Sequence, residues 1–121
     1  MRTISPAQNA CMIATALYEN ARAAADAEIA ATLTEPADYC ANEEAALAYE
    51  EAIIAVERKH DVDNLRRICR LAEDTLIDWA VNECAALNRP EFREVQAALP
   101  TLRVHMKHRA RLVATCLRLA A

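Results

Sequence analysis

The stretch SPAQNACMIATALYENARAAADAEIAAT, residues 5–32, contains eleven alanines, no glycine and one proline, at its second position. Ser5-Pro6-Ala7-Gln8 reads as a helix start. Serine is the N-cap, proline takes the first helical position where its missing N–H is no loss, and glutamine completes a capping box. Apolar or small residues then recur every seven, at Ile4, Cys11, Tyr18 and Ala25, with Ala7, Ala14 and Ala21 three further on. This is an a/d seam of small side chains, which lets a neighbouring helix approach closely. The spacing predicts one helix running to about Thr32.

The rest of the chain keeps the same bias. None of the 121 residues is glycine, where average usage of about 7% would place roughly eight. Glycine supplies left-handed turns, helix C-caps and hairpins. A chain without it makes few tight turns and is expected to be mostly long helix, with alanine as the strongest helix former. Thr34-Glu35-Pro36 ends the first helix and, with threonine as cap, is expected to start a second. The second seam is Tyr39, Ala46 and Ile53, with Tyr49 and Val56 offset by three, ending near His60. Asp61-Val62-Asp63-Asn64 offers two N-caps for a third helix, with its seam at Val62, Leu65, Cys69, Ala72, Leu76, Trp79 and Ala86. Asn88-Arg89-Pro90 makes the last break. Phe92, Val95, Leu99, Leu102, Met106, Val113 and Cys116 hold one register across Pro100, so the fourth helix is expected to be kinked there or split.

Four such segments joined by short loops predict an all-α fold, an antiparallel up-down four-helix bundle forming a single domain over residues 1–121. Two seam positions, Glu83 and Arg109, carry charge. Each is expected to be paired, near an end or at a subunit contact, because a buried unpaired charge costs several kcal/mol. Mean hydropathy is near zero and no stretch approaches the ~20 apolar residues of a membrane span. The N-terminal residues lack the apolar core of a signal peptide, and a cytoplasmic location without membrane attachment is expected. Five scattered cysteines (Cys11, Cys40, Cys69, Cys84 and Cys116) never form a C-x-x-C pair. They read as small apolar fillers rather than a zinc site or disulfide framework.

Charge is segregated along the chain. Residues 37–57 hold six acids and no base, and residues 101–121 hold five bases and no acid, against a net charge of −4 for the whole. Glu43, Glu50 and Glu57 are seven apart, with Glu44 and Glu51 beside them. Arg103, Lys107, Arg111 and Arg118 form a basic row about 22 Å long by helical rise. In a four-helix square the second and fourth helices are diagonal, which places the two rows on opposite sides. Each row is a candidate partner-binding face. The acids suit a basic protein surface, and rim charges mainly govern encounter rate and partner choice. The bases suit phosphates. Nucleic acid is the less favoured partner, given the net negative charge and the few aromatic residues to stack on bases.

Catalytic patterns are sparse. Glu57-Arg58-Lys59-His60 has the E-x-x-H spacing of di-iron bundles, but those sites need two copies and two further glutamates. No metal or cofactor is expected. Arg103-Val104-His105-Met106-Lys107-His108 matches R-x4-H and resembles the signature of the HEPN family of small helical ribonucleases and toxin domains. The resemblance covers six residues. It implies a helical bundle in which Arg103 and His108 act on RNA at a dimer interface, histidine moving the proton and arginine steadying phosphate charge. Val104 departs from the polar residue that family tends to place there.

The preferred expectation is a non-enzymatic protein-binding module, an adaptor or inhibitor of phage or mobile-element type that also self-associates. Leu47 and Ile54 on the second helix, and Leu112, Leu117 and Leu119 on the fourth, exceed what one seam needs and mark possible contact surfaces. The alternatives are the HEPN-like ribonuclease and a nucleic-acid-contacting subunit of a larger complex.

Overall fold

A computed structural model of the chain describes residues 5–82, 93, 96–97, 99–100 and 106–119. The protein is an all-α helical bundle. Its helices are α1 (Pro6–Thr32), α2 (Glu43–Lys59), α3 (Val62–Asn82) and α4 (Met106–Leu119). Arg93, Gln96, Ala97, Leu99 and Pro100 are helical as well. Residues 101–105, which decide between the kink and the split expected at Pro100, lie outside those described, as do Cys84 and the seam charge Glu83.

The capping box forms as its residues dictate. Ser5 N–H donates to Gln8 Oε1 at 2.9 Å, and Gln8 N–H donates to Ser5 Oγ at 3.1 Å. Gln8 does more than cap. Its side chain is only 2% exposed, and its Nε2 donates to the Leu117 carbonyl at 2.9 Å. That carbonyl belongs to the last turn of α4, where helix carbonyls lack an intrahelical partner. One glutamine thus satisfies orphan groups at the start of α1 and at the end of α4.

The α1–α2 connection differs from the sequence expectation. Thr34 and Pro36 do not start α2; residues 37–41 turn instead, held by Tyr39 N–H to Pro36 O, Ala41 N–H to Asp38 O and Asn42 N–H to Asp38 O. Asn42 is the cap, its side chain accepting from Ala45 N–H at 3.1 Å and donating to Asp38 Oδ2 at 3.1 Å. Asparagine is a stronger N-cap than threonine, and Glu43 and Glu44 in the first turn complement the positive end of the helix dipole. The α2–α3 junction is tight. His60 closes α2, and Asp61 takes φ 57°, the only positive φ among the described residues. With no glycine in the chain, aspartate fills the left-handed position it tolerates better than most residues. Asn64 Nδ2 donates to its carboxylate at 3.1 Å.

Packing divides the chain into two compact units, Met1–Ala14 with Cys69–Ala121, and Thr15–Ile68. In the first, Cys11, Leu76, Ile77, Ala80, Leu112, Val113 and Cys116 form the core, with Ala72, Trp79 and Leu99 packed against it. Of the expected seams, Ala7 and Cys11, Ala72, Leu76 and Trp79, and Leu99, Val113 and Cys116 are there. Ile77, Ala80 and Leu112 join them because a helix facing a globular core buries a wider stripe than a two-position seam. Leu112 and Leu117 are therefore core residues or packed against the core, not the surplus contact surface their positions suggested. Arg109 is paired, as a seam charge must be: its guanidinium donates to Glu73 Oε2 at 2.9 Å and Asp74 Oδ1 at 2.7 Å, and to the Arg70 carbonyl at 3.3 Å. Burial opposes its charge, but the two carboxylates outweigh that and raise its pKa.

The second unit buries little. Over Thr15–Ile68 the buried hydrophobic residues are Ala25 and Val62, and α2 has none.

Two predictions follow from these end contacts. Gln8→Ala should lower unfolding free energy by about 2 kcal/mol and Ser5→Ala by about 1 kcal/mol in urea titrations. Equal losses would mean that the bond to Leu117 contributes nothing. Asp61→Gly should leave the thermal midpoint unchanged or higher, whereas Asp61→Val should cost about 1–2 kcal/mol, since a branched Cβ is least tolerated at positive φ.

Candidate protein-docking face

The α2 face is built from a repeat that the charge count alone does not reveal. Residues 43–49 read EEAALAY and residues 50–56 read EEAIIAV. Offset by seven, the two heptads align acid on acid, alanine on alanine and apolar on apolar. On a helix this sets Leu47 between the pairs Glu43/Glu44 and Glu50/Glu51, and Ile54 one heptad further on. Both aliphatic side chains point outward, Leu47 being 51% exposed and Ile54 44% exposed. Tyr49, Ile53 and Val56 occupy the opposite, half-buried face. The result is an apolar ridge framed by glutamates.

The five glutamates are not equivalent. Glu43, Glu44 and Glu51 are exposed. Glu50 is exposed too, but accepts a hydrogen bond from the Tyr39 hydroxyl. That carboxylate, followed by burial, pushes the Tyr39 phenol above its ordinary pKa. Tyr39 also meets Tyr49 edge-on, with ring centroids 6.1 Å apart. Glu57 turns away from the row and pairs with Arg22 of α1. Arg22 binds Asp26 as well, at 2.5 and 2.9 Å, and the two carboxylates hold its guanidinium above the ordinary value. The outward face thus carries Glu43, Glu44, Glu50 and Glu51, with exposed Arg58, one turn beyond Ile54, as a base at its C-terminal end.

A polar clasp fixes the far end of α2 against α1. Lys59 Nζ donates to Glu28 Oε1 at 2.7 Å, and His60 Nε2 lies 3.5 Å from the same oxygen, buried and without a hydrogen bond. Arg66, from the first turns of α3, reaches Tyr18 with Nε 3.3 Å from the hydroxyl and the guanidinium 5.7 Å from the ring centroid. Where apolar burial is thin, ion pairs and aromatic contacts set the position of the ridge.

The basic row is only partly within the described residues. Arg111 and Arg118 are exposed on α4, one heptad apart, and Arg118 Nη2 donates to Thr115 Oγ1 at 3.3 Å. Arg103 and the side chains of Lys107 and His108 lie outside the described residues, so the R-x4-H pattern has no geometry here. In the E-x-x-H pattern, Glu57 goes to Arg22 and His60 to Glu28. Among the described residues no three His, Cys, Asp or Glu side chains stand together as metal ligands would, and no helix is long and apolar enough to cross a membrane. Cys11, Cys69 and Cys116 are buried and Cys40 is exposed. No protein-family model, curated protein or solved structure matches the chain.

The clasp has a pH signature. Lys59 first, and His60 after it, hold the Glu28 carboxyl below its ordinary value of 4.5. A depressed folded-state pKa adds stability above the unfolded value and loses it as pH falls through the folded one. The difference in thermal midpoint between wild type and Glu28→Gln should therefore be present above the ordinary carboxylate range and shrink as pH falls through and below it. A difference that does not change with pH would remove the clasp as a source of stability.

Proposed function

We propose that the protein is a non-enzymatic binding module, an adaptor or inhibitor whose α2 seats in an apolar groove rimmed by lysine and arginine on another protein. The observation that carries this reading is the outward position of Leu47, between two glutamate pairs, and of Ile54, one turn beyond Glu50 and Glu51, on a helix that buries none of its residues. Full burial of such side chains against a partner is worth about 1.5–3 kcal/mol each. The glutamates add little affinity at the rim, but they speed encounter with a positive surface and disfavour a negative one.

The chemistry of the row selects the partner. Four carboxylates within two heptads repel phosphate, so the face suits a competitor for a basic, phosphate-binding surface better than a ligand of nucleic acid itself. They repel a second copy of the same face equally. The repeat fits one binding groove with two apolar pockets about 10 Å apart, the rise over one heptad.

The test uses a partner captured by the intact protein and then challenged with variants. Leu47→Ser with Ile54→Ser should weaken capture about 100-fold, and Glu51→Lys should slow association and reduce its salt dependence. Both variants alter exposed positions, so unfolding free energies should stay within about 0.5 kcal/mol of wild type. Undiminished capture by the double serine variant, or a captured partner whose contact surface is acidic, would overturn the reading.

A further inference from the structure

From residue 23 to residue 57 the chain has nine acids and no lysine or arginine. The cations that answer these acids stand at the two edges of the run. Arg22, just before it, binds Asp26 and Glu57, and Lys59 and His60, just after it, reach Glu28. The ion pairs between α2 and α1 therefore gather at one end of α2, at Glu57, Lys59 and His60. The other end is held by its own approach. Tyr39 N–H donates to Pro36 O, the Tyr39 hydroxyl donates to Glu50, and Asn42 bonds Asp38. Helix α2 and the turn before it form one body, fastened to α1 by charge at its C-terminal end.

Apolar burial reinforces this fastening only slightly. The buried hydrophobic residues of Thr15–Ile68 are Ala25 and Val62, whereas Met1–Ala14 with Cys69–Ala121 encloses Leu76, Ile77, Leu112 and Val113. Arg66, which joins α3 to α1 through Tyr18, makes a solvent-exposed contact as well. Local opening is easiest where buried apolar contact is thinnest. Ion pairs open to solvent also weaken as salt screens them. Both α1 and α3 pass from one unit to the other within a continuous helix. Their halves in the first unit are anchored by Cys11, Leu76 and Ile77, so they have a core to stay folded on when the rest loosens.

We infer that the Thr15–Ile68 unit opens by itself, ahead of the other unit, and that the ion pairs at the end of α2 are the latch that salt releases. Opening is a property of the free protein and needs no partner. It frees the half-buried side of α2, with Tyr49, Ile53 and Val56, in addition to the side that carries Leu47 and Ile54. Ionic strength thereby sets how much apolar surface α2 presents.

Amide hydrogen exchange followed by NMR reads both units in one sample of the intact protein. At about 0.1 M NaCl, Ile53 and Val56 should be protected at least about 10-fold less than Ile77 and Val113. Raising NaCl to about 1 M shortens the Debye length from about 10 Å to about 3 Å. Protection of Ile53 and Val56 should then fall about 5-fold further, while Ile77 and Val113 change less than about 2-fold. Glu57→Gln should reproduce most of the salt effect at about 0.1 M. Adding Arg22→Gln to it should lower protection by no more than about 2-fold again, because the two side chains act as one pair. Equal protection in the two sets, falling together, overturns the inference. So does protection of Ile53 and Val56 that neither salt nor Glu57→Gln alters.

Discussion

Alanine sets the terms for this molecule. A buried methyl group contributes about 0.8 kcal/mol, where a buried leucine or isoleucine side chain contributes about 1.5–3 kcal/mol. Helices with alanine seams come close together yet remove little apolar area from water for each turn they align. The deficit is met where the chain places larger groups or polar bonds. Leu76, Ile77, Leu112 and Val113 do this in the Met1–Ala14 with Cys69–Ala121 unit. The paired Arg109 and the shared Gln8 do it with hydrogen bonds.

The Thr15–Ile68 unit meets the same constraint differently. With Ala25 and Val62 as its buried hydrophobic residues, it relies on Arg22 with Glu57 and Asp26, on Lys59 and His60 with Glu28, and on Arg66 with Tyr18. Partly exposed ion pairs are individually weak and screened by salt. Regions with few buried contacts open most readily, and binding surfaces are commonly drawn from them. The ridge of Leu47 and Ile54 belongs to this unit, so its aliphatic side chains stand out because the unit has no core large enough to take them in.

Local chemistry was legible in the sequence; competition and distance were not. Ser5 to Gln8 could be read because the capping box bonds residues three apart, and the ends near Thr32 and His60 followed from the same kind of local signal. The start of α2 was misplaced because Thr34-Glu35-Pro36 and Asn42-Glu43-Glu44 are both valid helix starts. The choice depends on the Asp38 carboxylate and carbonyl engaging Asn42. The glutamate row was visible as a spacing, but the loss of Glu57 to Arg22, thirty-five residues away, is a tertiary fact. Leu112 looked like surplus only because a strict two-position seam is narrower than the stripe a core-facing helix buries.

The α2 face follows from the same shortage. Leu47 and Ile54 stand outward while Tyr49, Ile53 and Val56 take the half-buried side. Glu57 shares the heptad register of Glu43 and Glu50, yet its pairing with Arg22 makes it part of what holds α2 to α1. Glu50 is engaged by the Tyr39 hydroxyl from the turn before the helix. One row of carboxylates thus divides its work, some members facing solvent and others securing the helix that carries them.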